Sequence, residues 1–322
     1  VYKLKVFLVF VIFSIIINDF SQIGGSLYMK ILLLGSSGLL GSDCRDVLKD
    51  EHQVIAPSSS ELDIISWDAA IDSLHKISPN VIINCAAYTD VNGCEKDDYR
   101  IKKVNIEGPR NFAQGSARYN SRMIHISSDY VFSGQKGIPQ PYFEDDPVEP
   151  VSAYGRCKVE SEVAVKENAP SYIIIRTGWL YGKNGNDFID ALLMKAMKSP
   201  RKTVKVVDDQ VGSPTWSYRL ALQIKTLLKT DLKGTFHATA EGYCSRYEFA
   251  QHVFEQLNIK TPIKPCKLSD FPQPAKRPHN CILENRLLKN LGYNVMADWK
   301  EDVNEYLEKY GKDLIKEAKA KK

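Results

Sequence analysis

One stretch of this chain holds a serine and a tyrosine–lysine pair in an order suited to carbonyl chemistry. The apolar run Met123-Ile124-His125-Ile126 ends in Ser127-Ser128-Asp129-Tyr130, and Tyr154-Gly155-Arg156-Cys157-Lys158 follows it. A tyrosine and a lysine four residues apart share one helix face, so the ammonium can lower the phenol's pKa and ready it for proton transfer. Ser128, at a strand's end, is placed to orient the reacting oxygen. Tyr99 and Lys103 have the same spacing, so spacing alone selects neither pair. No strand ending in Ser or Thr comes shortly before Tyr99, and the Tyr99 pair reads as a solvated helix face.

Such chemistry requires a cofactor site upstream. The short apolar run Lys30 to Leu34 passes at once into Gly35-Ser36-Ser37-Gly38-Leu39-Leu40-Gly41 and then a helical pattern to about Leu48. This is strand, glycine turn, helix. Gly35 allows the tight turn, Gly38 lets backbone N–H groups approach a pyrophosphate at the helix N-terminus, and Gly41 lets helix and strand pack closely. The next strand, about Gln53 to Ala56, ends in Pro57-Ser58-Ser59-Ser60 without a carboxylate to hold a ribose 2′-hydroxyl, with Glu61 nearby. NADPH is therefore allowed, and NADH is not excluded. Asp63 can reach the adenine or its ribose, or cap a helix. After the buried strand Val81 to Asn84, small residues including Ala86 and Ala87 leave room for a cofactor across the strand ends.

The elements repeat as strand, helix, strand. Arg122 to Ile126 and Ile173 to Arg176 are further buried strands, a loop spans Gly134 to Pro150, and Ser152 is placed to cap the helix carrying Tyr154. The expectation is an α/β fold, a Rossmann-like doubly wound parallel sheet with its ligands at the carboxyl ends of the strands. Residues 29–182 form that NAD(P)-binding domain. Shorter mixed elements in 183–311 form a small C-terminal α/β lobe that mainly binds substrate. They comprise helices at Asp187 to Met197, Tyr218 to Leu228 and Tyr247 to Leu257, strands at Val204 to Val207 and Gly234 to Ala238, and a proline-punctuated loop from Pro262. Residues 312–322 read as a mobile basic tail.

At 322 residues, 43% hydrophobic and 25% charged, the composition is that of an ordinary globular chain. Its net charge of +4 owes much to tail lysines and makes no case for nucleic acid. Seven scattered cysteines without Cys-x-x-Cys spacing indicate neither a disulfide framework nor zinc, and the cytoplasm is the expected compartment. The six histidines form no metal-ligand pair at helical spacing. Val1 to Ile17, basic and then apolar, resembles a signal peptide more than a membrane span. Met29 stands just before the first strand, so 1–28 reads as an extension from an upstream start.

Taken together, "LLLGSSGLLG", "VIINCAAYTDV", "HISSDYVFSG", "YGRCK", "IIIRTGWLYG", "VVDDQVGSPT", "GTFHATAEGYCSRYEFA" and "KRPHNCILE" resemble the dTDP-4-dehydrorhamnose reductase family of extended short-chain dehydrogenase/reductases, from Met29 to about Leu307. The resemblance implies hydride transfer from NADPH or NADH to C4 of a dTDP-linked 4-keto-6-deoxy sugar, giving dTDP-L-rhamnose. It makes Tyr154 the general acid, has Lys158 tune it and bond the nicotinamide ribose, and has Ser128, where many members have Thr, donate to the carbonyl. It puts Thr89, Val91, Asp129, Tyr130 and Trp179 at the sugar. Gly38, Leu39, Leu40, Asp63, Ile64, Ala87 and Tyr88 line the cofactor. Arg277, beside Lys276, is a candidate diphosphate ligand. Trp216-Ser217-Tyr218-Arg219 lacks the carboxylates with which some members hold a Mg²⁺ at a dimer interface, so no metal is expected and the protein is a monomer or homodimer. Two alternatives share the fold: a nucleotide-sugar dehydratase or epimerase, disfavoured by Tyr130 after Asp129 where dehydratases place Glu, and an NADP-binding regulatory subunit like the β subunit of methionine adenosyltransferase, disfavoured by Trp179 and the Val206 to Gln210 run.

Overall fold

The computed structural model describes residues 28–96 and 99–320. The expectations for the N-terminal extension therefore lie, except at Tyr28, outside the described residues.

The apolar runs become strands because both faces of each can be buried. The strands and helices used below are β1 (Lys30–Leu34), α1 (Leu39–Leu48), β2 (Gln53–Ile55), α2 (Trp67–Ile77), β3 (Val81–Asn84), α3 (Gly108–Arg118), β4 (Arg122–Ser128), α4 (Ala153–Asn168) and β5 (Tyr172–Thr177). They are followed by α5 (Phe188–Lys198), α6 (Ser217–Leu228), β6 (Gly234–His237), α7 (Arg246–Gln256) and α8 (Trp299–Ala320). The main sheet has the order β6-β5-β4-β3-β1-β2, every neighbouring pair parallel. Alternate side chains go to opposite faces: Ile31, Leu33, Ile83, Ile124 and Ile173 pack with α1 and α6, while Leu32, Leu34, Ile82, Met123 and Ile174 pack with α2 and α3. The order reverses between β1 and β3, which makes this a Rossmann-like doubly wound sheet with its switch point beside the glycine turn.

Three expectations are corrected. Residues 183–311 do not separate cleanly from the sheet, because β6 is its sixth strand and α6 packs on α1 across the first core face. The expected mobile tail is helical to Ala320: α8 continues past residue 311 because Leu314 and Ala318 fall on the face buried against the second core, with Phe249, Trp299, Val303 and Tyr306. Between the turn Tyr99–Lys102 and α3 the helix is interrupted by a π-turn at Lys103–Glu107. Pro109 explains the interruption, since it has no N–H for the Asn105 carbonyl. The proline-punctuated segment also contributes an edge strand, Ile263–Cys266, parallel to Val204–Val207. Among the described residues no helix is long and apolar enough to cross a membrane.

Candidate functional site

The glycine turn works by close approach. Gly35 has φ +74°, and a Cβ there would lie 2.6 Å from the Ala86 nitrogen; a Cβ at Gly41 would lie 2.1 Å from the Gly35 carbonyl oxygen. Helix α1 thus abuts the ends of β1 and β3. Its N-cap, Gly38, is extended and supplies no side-chain cap, so the N–H groups of the first turn are left for an anion.

Beyond this turn opens a cleft of about 480 Å³. Gly38, Leu39 and Leu40 line one end; Ser128, Tyr154 and Lys158 lie in it with Asp129, Tyr130 and Trp179. Strand β4 delivers Ser128, and α4, started by Ser152 accepting from the Gly155 N–H at 3.1 Å, delivers Tyr154 and Lys158 from successive turns. All three are buried. The Ser128 hydroxyl donates to Asp129 Oδ1 at 2.8 Å and is also a hydrogen-bond neighbour of the Tyr154 phenol. Lys158 Nζ donates to the Ile126 carbonyl at 3.0 Å and lies 5.9 Å from the centre of the Tyr154 ring.

The electrostatics modify one expectation. Burial first, then the negative charge of Asp129, push the Tyr154 phenol well above its ordinary value, opposed by its hydrogen-bond contact with Ser128. The lysine does not dominate; a desolvated phenol beside a carboxylate keeps its proton. Burial pulls Lys158 down to about 8, opposed by Glu162, and pushes Asp129 up to about 6.

Behind α4 lies a polar network with no counterpart in the sequence reading. Glu162 accepts from Ser127 Oγ at 2.7 Å and takes both Arg176 Nε and Nη2 at 2.8 Å, all three groups buried. Burial would raise the carboxyl, but the Arg176 hydrogen bonds and charge outweigh it and hold Glu162 at about 2. Buried His125, drawn down to about 3 mainly by desolvation, hydrogen-bonds Asn84 at 3.2 Å and Ser161 at 3.0 Å. These bonds tie α4 to the strand ends.

Of the expected residues, Gly38, Leu39, Leu40, Ala87, Thr89, Val91, Ser128, Asp129, Tyr130, Tyr154, Lys158, Trp179 and Arg277 meet in the cleft. Gly35, Gly41 and Ala86 form the turn behind it. Asp63 and Ile64 lie outside it: Asp63 accepts from the Ile65 N–H at 3.2 Å, Ser66 rather than Asp63 caps α2, and Ile64 packs under Gly108. Tyr88 is 37% exposed, its backbone gripped on both sides by Asn105, which accepts from its N–H at 2.8 Å and donates to its carbonyl at 3.0 Å. Lys276 is exposed. Tyr99 is exposed with Lys103 folded over its ring at 4.6 Å, a solvated face as expected.

Sequence reasoning passed over Arg246, which stacks on Trp179 with its guanidinium carbon 3.4 Å from the ring centre. It also left unremarked why Gly212 is glycine. Trp179 sits at φ +52°, rare for a bulky residue, and a Cβ on Gly212 would come within 2.7 Å of its indole.

Residues 29–312 match the family model for the RmlD substrate binding domain. A dTDP-4-dehydrorhamnose reductase of Mycobacterium tuberculosis is 35% identical over 277 residues, covering 84% of this chain and 90% of that protein. The chain belongs to the dTDP-4-dehydrorhamnose reductase family. Within reach of this family lies a probable dTDP-4,6-dihydroxy-2-methyloxan-3-one 4-ketoreductase of Streptomyces antibioticus, 34% identical over 86% of this chain and 94% of that protein. The fold agrees with that of the solved dTDP-4-dehydrorhamnose reductase of Bacillus anthracis in complex with NADP, with a TM-score of 0.84 at 33% identity, covering 88% of this chain and 100% of the other.

Proposed function

We propose that this protein is an NADPH-dependent dTDP-4-dehydrorhamnose reductase, reducing the C4 ketone of dTDP-4-dehydro-L-rhamnose to give dTDP-L-rhamnose. The observation that carries this reading is the convergence of Ser128, Tyr154 and Lys158 in one cleft beginning at the uncapped N-terminus of α1.

The residues fit the cofactor. The first turn of α1 offers backbone N–H groups to a pyrophosphate, and the end of β2 carries no carboxylate to repel a 2′-phosphate. Glu61 is turned to its own loop, accepting from the Ser58 N–H and hydroxyl at 2.8 Å each. When bound, NADPH supplies the hydride. Tyr154, kept protonated by burial, gives its proton to the carbonyl oxygen as that oxygen gains negative charge. The Lys158 ammonium steadies the phenolate left behind, and Ser128 donates to the same oxygen once substrate competes with Asp129 for its hydroxyl. Asp129, Tyr130, Thr89, Val91 and Trp179 surround the sugar. Elimination of water would need an acid–base pair after Ser128, and Tyr130, its hydroxyl accepting from Arg277 Nη1 at 3.1 Å, supplies no carboxylate. The seven free cysteines suit a reducing cytoplasm.

The test follows NADPH absorbance across a panel of nucleotide-linked 4-keto sugars, each offered with NADPH and with NADH. Turnover is expected with dTDP-4-keto-rhamnose and NADPH. No turnover beside a competent control enzyme would sink the proposal, and a larger kcat/KM for another sugar would reassign the substrate.

A further inference from the structure

The catalytic cleft does not end at the sugar. A second cavity of about 530 Å³ adjoins it, and Trp179, Leu180, Asn186, Asp187, Arg246 and Arg277 line both. These residues form a neck between two chambers. The far chamber is walled largely by apolar side chains such as Phe188, Val206 and Phe271, with room for a flat ring.

The two guanidinium groups at the neck are held differently. Arg277 has protein acceptors: Gln273 Oε1 at 2.8 Å and the Tyr130 hydroxyl at 3.1 Å. Arg246 has none among the described residues: burial draws its pKa down, and Tyr130 and Asp129 act on it through space without a hydrogen bond. Yet its position is fixed. It is the first residue of α7, whose N-cap Ser245 forms a capping box with Glu248 and donates to Asp208 Oδ1 at 2.7 Å. Its guanidinium carbon lies 3.4 Å from the centre of the Trp179 ring and 5.1 Å from that of Phe188. Stacking covers the faces of a planar cation and leaves its in-plane donors at the edge. Those donors border both chambers. Asp187, which lines both chambers, is engaged as N-cap of α5 and as acceptor of the Gly182 N–H at 2.9 Å, and the Asp129 carboxylate, which takes the Ser128 hydroxyl, acts on the guanidinium only through space. A pre-positioned, partly desolvated guanidinium without an acceptor is a site for an anion.

We infer that Arg246 reads the diphosphate of the nucleotide-linked substrate at this neck, and thereby sets the preference for a nucleoside diphosphate over the uncharged nucleoside. The inference rests on the proposed reading of the cleft as a nucleotide-sugar site. It makes Arg246 a specificity residue, with Trp179 serving as the platform that aims it, and assigns Trp179 a part beyond touching the sugar. Binding of the nucleoside alone, which carries no phosphate, should be indifferent to the Arg246 charge.

The experiment is calorimetric titration of the NADPH-saturated protein with dTDP, UDP and GDP and with the matching nucleosides, in wild type, Arg246→Met, Arg246→Gln and Arg246→Lys. With the best-bound diphosphate, Arg246→Met and Arg246→Gln are expected to weaken binding roughly 10- to 100-fold, as for a lost hydrogen-bonded charge, while the nucleoside changes by less than about threefold. Arg246→Lys should recover part of the loss, and NADPH affinity should not move. No hydrogen bond of the side chain is broken, so each variant should stay folded, with a melting temperature lowered only by the lost stacking on Trp179. A diphosphate-to-nucleoside affinity ratio that stays within about threefold of wild type in any folded neutral variant overturns the inference, as does a wild type that binds none of the three diphosphates. A wild-type preference for UDP or GDP over dTDP sinks only the rhamnose reading. The same ratio, measured with that nucleotide, then still decides for or against Arg246.

Discussion

At the residue scale, the tyrosine proposed as the proton donor is set apart from its decoy by environment. Tyr154 is 8% exposed between Ser128, Asp129 and Lys158, whereas Tyr99 is 72% exposed with only Lys103 over its ring. Tyr154→Phe is expected to lower kcat by about 10²- to 10⁴-fold with NADPH affinity intact, and Tyr99→Phe to be nearly silent. Equal losses from the two changes in the same steady-state assay would remove Tyr154 from its role. The pH profile belongs to this scale too. Lys158, brought down to about 8 by burial, loses its proton on the alkaline side, while Tyr154 stays protonated well beyond it. The value of kcat/KM should therefore fall above a pH of about 8 in a single-proton step, because charge stabilisation of the phenolate disappears with the ammonium. Lys158→Arg stays charged, and an alkaline limb that persisted unchanged in it would assign that limb elsewhere.

At the element scale, the placement of α4 depends on the pair that clasps it to β5. Glu162 and Arg176 are 2% and 3% exposed, and their bidentate bond fixes the helix rotation that presents Tyr154 and Lys158 to the cleft. Glu162→Gln leaves the Arg176 guanidinium buried without its counter-charge and should cost about 3–5 kcal/mol in urea unfolding. The sign of the pH effect follows from the carboxyl's depressed value of about 2. An ordinary Glu titrates at about 4.3 in the unfolded chain, so the stability from this pair is complete above that pH and is lost as pH falls toward 2. Acid unfolding of wild type should be steeper across this window than that of Glu162→Gln; identical slopes would show that the pair contributes nothing to acid stability.

At the scale of the whole molecule, the parallel sheet has a core on each face, the one under α2 and α3 and the one under α1 and α6, and the second of these lies beside the core of the C-terminal elements. The C-terminal core gathers α5, α7 and α8 around Phe249, Trp299 and Tyr306. The site lies where the sheet and this core meet, since α4 brings Tyr154 from the sheet side and α7 brings Arg246 from the other. The end of α8 is part of this construction. Deleting residues from 312 onward removes buried Leu314 and Ala318 and should cost about 2–4 kcal/mol, lowering the melting temperature by several degrees. A truncated protein that melts with wild type would restore the picture of a dispensable tail.

The sequence by itself determined what is local or strictly periodic. The runs Ile31 to Leu34, Val81 to Ile83 and Ile173 to Ile175 had to be strands buried on both faces, Gly35 and Gly41 had to permit a close turn, and the Tyr154–Lys158 spacing had to share a helix face. Tertiary structure decided what depends on residues distant in the chain. That Gly234–His237 would return to the edge of the main sheet, that Leu314 would find a core to bury against, and that His125 would meet Asn84 are all contacts between separate elements, which no window of the sequence contains. The ionisation of the site belongs to the second group. Spacing placed an ammonium near Tyr154, but desolvation by the assembled protein and the Asp129 charge outweigh it, because electrostatic energies follow burial and distance in space.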